Sequence, residues 1–211
     1  TESDVNDNFF DKYYVAASMK RFAEKTCFIY SNKLKKGMKT LVIRPGNLYG
    51  DFDKFGLEKS HVIPALIRRF HDAKIHNHSM VKIWGTGSPK REFLYVDDLA
   101  SACVHVMNLD QKDFQQHTQP MLSHINVGSG EELTIRQLAD TIARVTNYKG
   151  TMVFDKTKPT GDKIILLDTS LAKSYGITNK ISLKDGLDKT IDWYLNNQSL
   201  TQKRFNYFKK S

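Results

Sequence analysis

The sequence has few cysteines and no long hydrophobic run. Cys27 and Cys103 are the only thiols among 211 residues, which excludes a disulfide framework and favours a reducing, cytoplasmic location. Each lies in an apolar helical pattern, which predicts a buried structural thiol. No apolar run approaches the roughly 20 residues of a transmembrane helix, so we expect no membrane partner. We predict no metal site.

The sequence also lacks a glycine-rich dinucleotide turn and an initiator methionine. A doubly wound nucleotide-binding domain opens with a strand, a Gly-rich turn and a helix whose N-terminus receives the pyrophosphate. Neither G-x-G-x-x-G nor G-x-x-G-x-x-G occurs, and the opening TESDVNDNFF is not a signal peptide. We therefore expect a chain that begins within a fold, with Thr1 as a natural start, a proteolytic cut or the edge of an incomplete record.

Acidic residues are scarce relative to basic ones, since 32 Lys and Arg against 23 Asp and Glu give a net charge of +9. The basic residues are scattered except in the tail QKRFNYFKKS, where Lys203, Arg204, Lys209 and Lys210 follow the last acid, Asp192. We interpret this tail as a solvated extension, with an anion-binding arm as the alternative. No nucleic-acid-binding module is recognisable, so we predict no nucleic-acid partner.

Helical and strand-like patterns alternate along the chain. A helix is predicted from Tyr14 to Lys36, ended by Gly37, and a buried parallel strand is predicted in KTLVIRP. Further strands are predicted in VKIW, EFLYV, HINV and TMVFD, and further helices in EKSHVIPALIRRFHDAK, residues 99–107 (capped by Asp97 and Asp98), LTIRQLADTIARVTNY (capped by Thr134) and SLKDGLDKTIDWYLNN. This alternation predicts the α/β class.

Five ordered motifs point to a family. They are RPGNLYG (44–50), KSHVIPALIRRFHDAK (59–74), WGTGSPKREFLYVDDLA (84–100), HINVGSGEELTIRQLA (124–139) and KPTGDKIILLD (158–168). Together they resemble the later part of the GDP-L-fucose synthase family, NADP-dependent epimerase/reductases among the extended short-chain dehydrogenase/reductases. The resemblance runs from about Tyr14 to Asn196. It implies the later part of a Rossmann-type doubly wound sheet plus a smaller α/β substrate-binding lobe.

The resemblance also implies a domain organisation and partners. Residues 1–60 would be the residual C-terminal part of the dinucleotide-binding domain. Residues 61–196 would be mainly the substrate-binding lobe, with elements returning to the sheet, and residues 197–211 the basic tail. The implied cofactor is NADP(H), the implied substrate is a GDP-sugar, and the implied assembly is a homodimer through the helix from Tyr14 to Lys36.

The family's chemistry gives His61 a role. In that family a cysteine and a histidine move protons at C3 and C5 of a GDP-4-keto-6-deoxy-hexose, and NADPH then reduces the C4 ketone. His61 matches the histidine proton donor and lies on the cofactor side, and a helix N-terminus suits a readily released proton. The alternative is that His61 only caps its helix or packs on the loop. The family's catalytic cysteine matches neither Cys27 nor Cys103.

Further residues match the family's binding positions. Arg69 matches a contact to the nucleotide diphosphate, which suits a planar, permanently charged guanidinium, whereas Arg68 points about 100° away and is expected to face solvent. Arg91 matches a second substrate-binding arginine. Trp84 matches an aromatic wall of the substrate pocket, with a core aromatic as the alternative. Asn47, beyond the carboxyl end of a predicted parallel strand, matches a cofactor- and substrate-side position.

The reductase motif Tyr-x-x-x-Lys is broken in this chain. The four-residue spacing normally puts both side chains on one helix face, where the lysine activates the tyrosine and holds the nicotinamide ribose. In KYYVAASMKRFAEK, the lysine slot counted from Tyr14 is Ser18, and the tyrosine slot counted back from Lys20 is Ala16. Tyr14 and Lys20 remain candidate catalytic residues, Lys20 also on the cofactor side, and we expect impaired hydride transfer.

A second departure is Thr160 in KPTG, where the family commonly has an acidic residue that contacts the sugar nucleotide. Thr160 is therefore a candidate substrate contact that leaves another GDP-sugar open, such as a heptose or a 3,6-dideoxy sugar. A function of a different class is open as well. The chain could be a non-catalytic binding or regulatory subunit that kept the nucleotide-sugar pocket.

Overall fold

The computed structural model describes residues 11–34, 40–57, 60–117 and 124–203. The helices are α1 (Tyr14–Asn32), α2 (Val62–Ile75), α3 (Val96–Met107), α4 (Gln111–His117), α5 (Ile135–Val145), α6 (Ser170–Ser174), α7 (Leu183–Asn196) and α8 (Gln198–Lys203). The strands are β1 (Val42–Pro45), β2 (Asn47–Tyr49), β3 (Met80–Trp84), β4 (Lys90–Arg91), β5 (Phe93–Tyr95), β6 (His124–Val127), β7 (Leu133–Thr134), β8 (Thr151–Asp155) and β9 (Ile164–Ile165). The predicted α/β class is confirmed.

The chain forms two compact units. The first consists of Thr1–Gly46, Leu99–Gly130 and Leu167–Thr178, and the second of Asn47–Asp98, Glu131–Leu166 and Asn179–Ser211. The functional boundaries predicted after residues 60 and 196 stay predictions. Gly37 and the tail from Arg204 onward lie outside the described residues. No helix in the described ranges combines the length and the apolarity needed to cross a bilayer.

In the first unit, β1 pairs in parallel with β6. The strand is half-buried with an exposed Pro45, so the prediction of a buried strand is wrong about its burial. Helix α1 begins at Tyr14 as predicted but ends at Asn32, before the predicted Lys36. At this end the backbone amides of Lys33 and Leu34 both donate to the Ile29 carbonyl, and the Asn32 side-chain amide donates to the Phe28 carbonyl (3.2 Å). Cys27 and Cys103 are half-buried rather than buried.

A partly buried ion-pair network joins α1 to β1. The Arg44 guanidinium donates to both Glu24 carboxylate oxygens at 2.6 Å, and Arg21 donates to the same carboxylate at 3.0 Å. Burial raises the pKa of Glu24, but the hydrogen bonds from Arg44 and then Arg21 outweigh it and the net pKa is lowered. The ionised carboxylate therefore stabilises the fold at neutral pH.

We expect Glu24→Gln to lower the free energy of unfolding by about 2 kcal/mol at pH 7, because charge-assisted hydrogen bonds to two arginines are lost. A carboxyl group whose pKa is lower in the folded state stabilises above its unfolded pKa and loses that effect as the pH falls. The difference in unfolding free energy between wild type and variant should thus shrink as the pH falls below 4.5, the ordinary pKa of a glutamate side chain. Denaturant unfolding at several pH values measures it. Glu132→Gln, in an exposed pair with Lys90, is the matched control and should change stability by under about 1 kcal/mol.

The core of the second unit is formed by one face of α2 together with α5 and α7. The buried residues of α2 recur at helical spacing, which turns one face inward. They are Ile63, Pro64, Leu66, Ile67, Phe70 and Ala73. Leu138 and Ile142 of α5 and Leu187 of α7 belong to the same core, each fully buried. Strand β3 lies on the same core and pairs in parallel with β8.

Helix caps account for where the second unit's helices begin. Thr134 caps α5 as predicted, in a capping box with Gln137, and Ser182 caps α7 in a similar way. The prediction that Asp97 and Asp98 cap α3 is wrong, because α3 already begins at Val96. Asp98 is instead buried, and its carboxylate accepts hydrogen bonds from distant backbone amides.

Candidate functional site

Trp84 lies at the carboxyl end of a parallel strand pair with its ring directed outward. Along β3, Val81 and Ile83 are buried and Lys82 and Trp84 are exposed, as the two-residue period of a strand requires. Trp84 is 52 % exposed, so the alternative of a core aromatic is wrong. Its indole is available as the wall of an open site.

Two cations lie over the Trp84 ring. The Arg69 guanidinium carbon is 5.3 Å from the ring centroid, and the Lys158 ammonium nitrogen is 5.8 Å from it. Arg69 also donates to the Lys82 carbonyl at 3.3 Å, which fixes its direction. Burial lowers the pKa of Arg69, but a guanidinium stays protonated in proteins. Lys158 was not predicted from the sequence as a site residue. Its position at the start of the KPTG motif is the feature that could have indicated it.

The loop that carries Thr160 passes directly over the residue after Trp84. Gly85 has a φ of +80°, and a Cβ added there would lie 2.8 Å from the Thr160 Cα and 3.2 Å from the Pro159 carbonyl oxygen. Only glycine permits both this backbone conformation and this approach. Thr160 is thereby held beside Trp84.

Arg91 is attached to the same loop. It lies on β4, which pairs in parallel with β9, and its guanidinium donates to the carbonyls of Lys90 (2.7 Å) and Asp162 (2.9 Å). A chain of contacts therefore leads from Arg91 through the Thr160 loop to Trp84 and Arg69. The second unit thus brings together Arg69, Trp84, Arg91 and Thr160, which are four of the five residues that the family match had singled out for substrate binding; Asn47 is the fifth.

His61 is the N-cap residue of α2, with φ −63° and ψ 163°. Its side chain is exposed and makes no capping hydrogen bond, so the alternative of a side-chain cap is wrong. Arg69 follows eight residues later on the same helix, which places it about 80° round and about 12 Å along the axis. Asn47 begins β2, and its amide donates to the Glu92 carbonyl at 3.0 Å.

Arg68 does not face solvent as predicted. It is half-buried, and its guanidinium donates to the Phe55 carbonyl at 2.9 Å and pairs with Asp72 at 3.4 Å. The prediction failed because the segment before α2 folds back over this side of the helix. That segment has no helical or strand period from which its course could be read.

Tyr14 and Lys20 belong to the first unit and lie on α1. Tyr14 is 55 % exposed, and Lys20 is exposed as well. Six residues of helix turn the chain through about 600°, so the two side chains point about 120° apart. The helix does not bring them onto one face.

A cavity of about 330 Å³ lies elsewhere in the second unit, between α2, α7 and the C-terminal end of α5. His71 and Asp188 are among its lining residues, and none of the predicted site residues lines it. The candidate site is therefore the open surface around Trp84, not this cavity.

Comparison with protein families places the chain in a class. The model of the NAD dependent epimerase/dehydratase family matches residues 11–128, which is more than half of the chain. The chain therefore belongs to the NAD dependent epimerase/dehydratase family.

Within that family the chain is similar to GDP-L-fucose synthases, which confirms the resemblance carried by the five motifs. It is 49% identical over 174 residues to GDP-L-fucose synthase of Escherichia coli (strain K12), covering 82% of this chain and 54% of the relative. It is 47% identical over 173 residues to GDP-L-fucose synthase 1 of Arabidopsis thaliana, covering 82% and 50%. The chain spans about half the length of these curated relatives.

A solved structure shares the fold. MlghC, a GDP-mannoheptose C4 reductase from Campylobacter jejuni with NADP bound, superposes with a TM-score of 0.76 at 29% identity. The match covers 92% of this chain and 64% of that one. The similarity thus extends over both compact units of the chain.

Proposed function

We propose that the protein acts in the NADP-dependent epimerisation at C3 and C5, and reduction at C4, of a GDP-4-keto-6-deoxy-hexose. The product would be GDP-L-fucose or a close GDP-sugar. The observation that carries this proposal is the exposed Trp84 ring with Arg69 and Lys158 over it. The names of the relatives from Escherichia coli and Arabidopsis thaliana support the same reaction.

The charges at this surface suit a nucleoside diphosphate. Among the described residues, Arg69 and Lys158 form no ion pair, although the charge of Lys158 contributes to the lowered pKa of Asp155; both cations are proposed to balance the charge of a bound ligand. A guanidinium binds phosphate oxygens through two parallel hydrogen bonds, and an exposed indole offers a face for a base or sugar. Arg91 and Thr160 are proposed to contact the sugar nucleotide from the adjoining loop.

His61 is proposed as the proton donor in the epimerisation. Its imidazole is exposed and makes no bond to the amides of its own helix, as a group that must reach a bound sugar requires. Asn47 and His61 are proposed on the side of the cofactor as well. Neither Cys27 nor Cys103 matches the family's catalytic cysteine, so neither is proposed as the second proton-transfer group.

NADP(H) is the proposed cofactor, which when bound would supply the hydride for the C4 ketone. Lys20 is exposed on α1 and suits a contact to a ribose hydroxyl. Tyr14 does not complete the pair, because it points about 120° away from Lys20 around the helix. The residues present fit a ribose contact but not the Tyr-x-x-x-Lys pair, so no hydride step is assigned to them.

We expect Arg69→Ala to weaken GDP binding about 10- to 100-fold, because a charge-assisted, bidentate contact to phosphate is lost. Isothermal titration calorimetry with GDP measures the change, and UDP and NADPH are titrated alongside. Arg144→Ala removes the same charge from an exposed position on α5 and should leave the Kd within twofold. With no glycine-rich turn in this sequence, we expect the unaltered protein to bind GDP and to bind NADPH only weakly. Tight NADPH binding together with no GDP binding would overturn that expectation.

Two alternatives are supported by particular residues. The separation of Tyr14 from Lys20 supports a non-catalytic nucleotide-sugar-binding or regulatory subunit, which would bind GDP-sugar without turning it over. Thr160 supports a different GDP-sugar, and the Campylobacter jejuni relative is named for GDP-mannoheptose. Product analysis with several GDP-ketosugars and NADPH separates these alternatives, since only an enzyme forms product and its substrate preference names the sugar.

A homodimer is proposed through α1. The helix has no buried residue, and Val15, Met19, Phe22 and Ile29 recur at helical spacing with exposures of 72%, 68%, 71% and 47%. A second copy of the chain could cover this apolar face. Light scattering would give the mass of two chains if it does.

The low cysteine content supports a proposed cytoplasmic location.

A further inference from the structure

The segment Asp51–Leu57, here called the 51–57 loop, contains a strained residue. Phe52 has a φ of +63°, in the left-handed region that a bulky side chain rarely adopts. Its ring is 63 % exposed, so hydrophobic burial alone does not explain the conformation. Such a residue persists where its surroundings over-determine it, and these places cluster at functional sites.

Aromatic contacts hold the 51–57 loop onto α7. The ring centroids of Phe52 and Trp193 are 4.9 Å apart with a tilt of 53°. Phe55 is buried and stacks on Trp193 at 6.0 Å and on Tyr194 at 4.7 Å. Aromatic pairs at these separations are favourable beyond the area they bury. The two phenylalanines therefore fasten the loop to two neighbouring residues of one helix.

Hydrogen bonds attach the same loop to the middle of α2 and to Ser60, just before that helix. Arg68 of α2 donates to the Phe55 carbonyl at 2.9 Å, and the Gly56 amide donates to the Ser60 hydroxyl at 2.7 Å. Ser60 directly precedes His61. At the other end of the loop, the Tyr95 hydroxyl donates to the Asp51 carboxylate at 3.4 Å. The 51–57 loop is thus bonded at one end to Tyr95 and at the other to Arg68 and to Ser60, the residue before His61.

We infer that Phe52, Phe55 and Trp193 are positioning residues for His61. The inference rests on the proposed function, in which His61 gives a proton to the sugar. A proton donor must lie within hydrogen-bond reach of the reacting atom, and a misplacement of about 1 Å can lower a rate on the order of 100-fold. The His61 side chain makes no capping bond, so the backbone next to Ser60, to which the loop is bonded, sets the position from which the imidazole extends.

The inference is tested first by proton exchange. In D₂O, deuterium entry at C3 and C5 of the GDP-ketosugar reports the proton-transfer step, and calorimetry separately reports the Kd of the same sugar. We expect Trp193→Ala and Phe52→Ala to slow exchange about tenfold and to leave the Kd within twofold. Trp193→Phe should restore most of the rate. Leu200→Ala, an exposed residue of α8, is the control. Exchange at the wild-type rate in both alanine variants would overturn the inference.

A second measurement does not depend on activity. In protein labelled with ¹³C-histidine, the His61 Cε1–H signal is assigned by its loss in His61→Asn. We expect this signal to move in Trp193→Ala and Phe52→Ala and to return in Trp193→Phe, while the signal of His105 in the first unit stays in place. An unmoved His61 signal contradicts the inference. If the unaltered protein shows no exchange, the proposed function fails, and the histidine spectrum still decides the positioning role.

Discussion

Replacing Asp98 with Ala should lower the free energy of unfolding by about 3 kcal/mol. The Asp98 side chain is only 6% exposed, and its two carboxylate oxygens accept the backbone N–H groups of Lys180 and Ile181 at 3.1 Å each. The substitution removes two charge-assisted hydrogen bonds and leaves two part-buried amides without their acceptor. Denaturant unfolding followed by circular dichroism measures the loss.

The neighbouring carboxylate provides a matched control for this prediction. Asp97 lies in the same helical turn but is exposed, so Asp97→Ala should change stability by less than about 0.5 kcal/mol. Asp98→Asn keeps one acceptor oxygen and should recover part of the loss. Equal effects of the two alanine substitutions would show that the Asp98 contacts to residues 180 and 181 contribute nothing beyond helix-dipole effects.

Asp98 also shows which contacts a sequence can reveal. The Thr134–Gln137 capping box closes within three residues, so residue spacing alone predicts where α5 begins. Asp98 bonds to amides 82 and 83 residues away, and no local pattern marks those partners. The prediction that Asp97 and Asp98 cap α3 is wrong for this reason. Interactions within one turn could be predicted, whereas those across the fold could not.

The residues of the candidate site also differ in whether a local sequence pattern predicts their positions. The alternation of buried Val81 and Ile83 along β3 can be read from the sequence, and it places Trp84 on the outer face. The family match predicted Arg69 only as a contact to the nucleotide diphosphate, and its position over the Trp84 ring comes from the structure. Lys158 reaches the ring only because β8 pairs with β3 and returns the following loop to Trp84, a register that residue types do not specify.

Backbone conformation was the least predictable feature. Phe52 adopts a positive φ that favours glycine, and nothing in GDFDKFG distinguishes it from its neighbours. Its ring contacts Trp193, 141 residues further along the chain, and no local pattern marks that partner. Arg68 was assigned to solvent for the same reason, since the carbonyl that it binds belongs to this loop.

His61→Asn should slow deuterium entry at C3 and C5 of the GDP-ketosugar by about 10²- to 10⁴-fold, because an amide has no proton that it can transfer at neutral pH. The Kd for GDP should stay within about threefold, since the cations proposed to bind the diphosphate, Arg69 and Lys158, are unchanged. Mass spectrometry of the sugar after incubation in D₂O measures the exchange, and calorimetry measures the Kd.

A histidine at the other end of the same helix is the matched control. His76 is the C-cap residue of α2, exposed, with its ring nitrogen bonded to the Asp72 carbonyl, so His76→Asn changes the same side chain away from the proposed site. It should exchange at the wild-type rate. If His61→Asn also exchanges at that rate, His61 is not the proton donor. If His61→Asn loses exchange and GDP binding together, the histidine serves to hold the nucleotide, and the proton must come from another group.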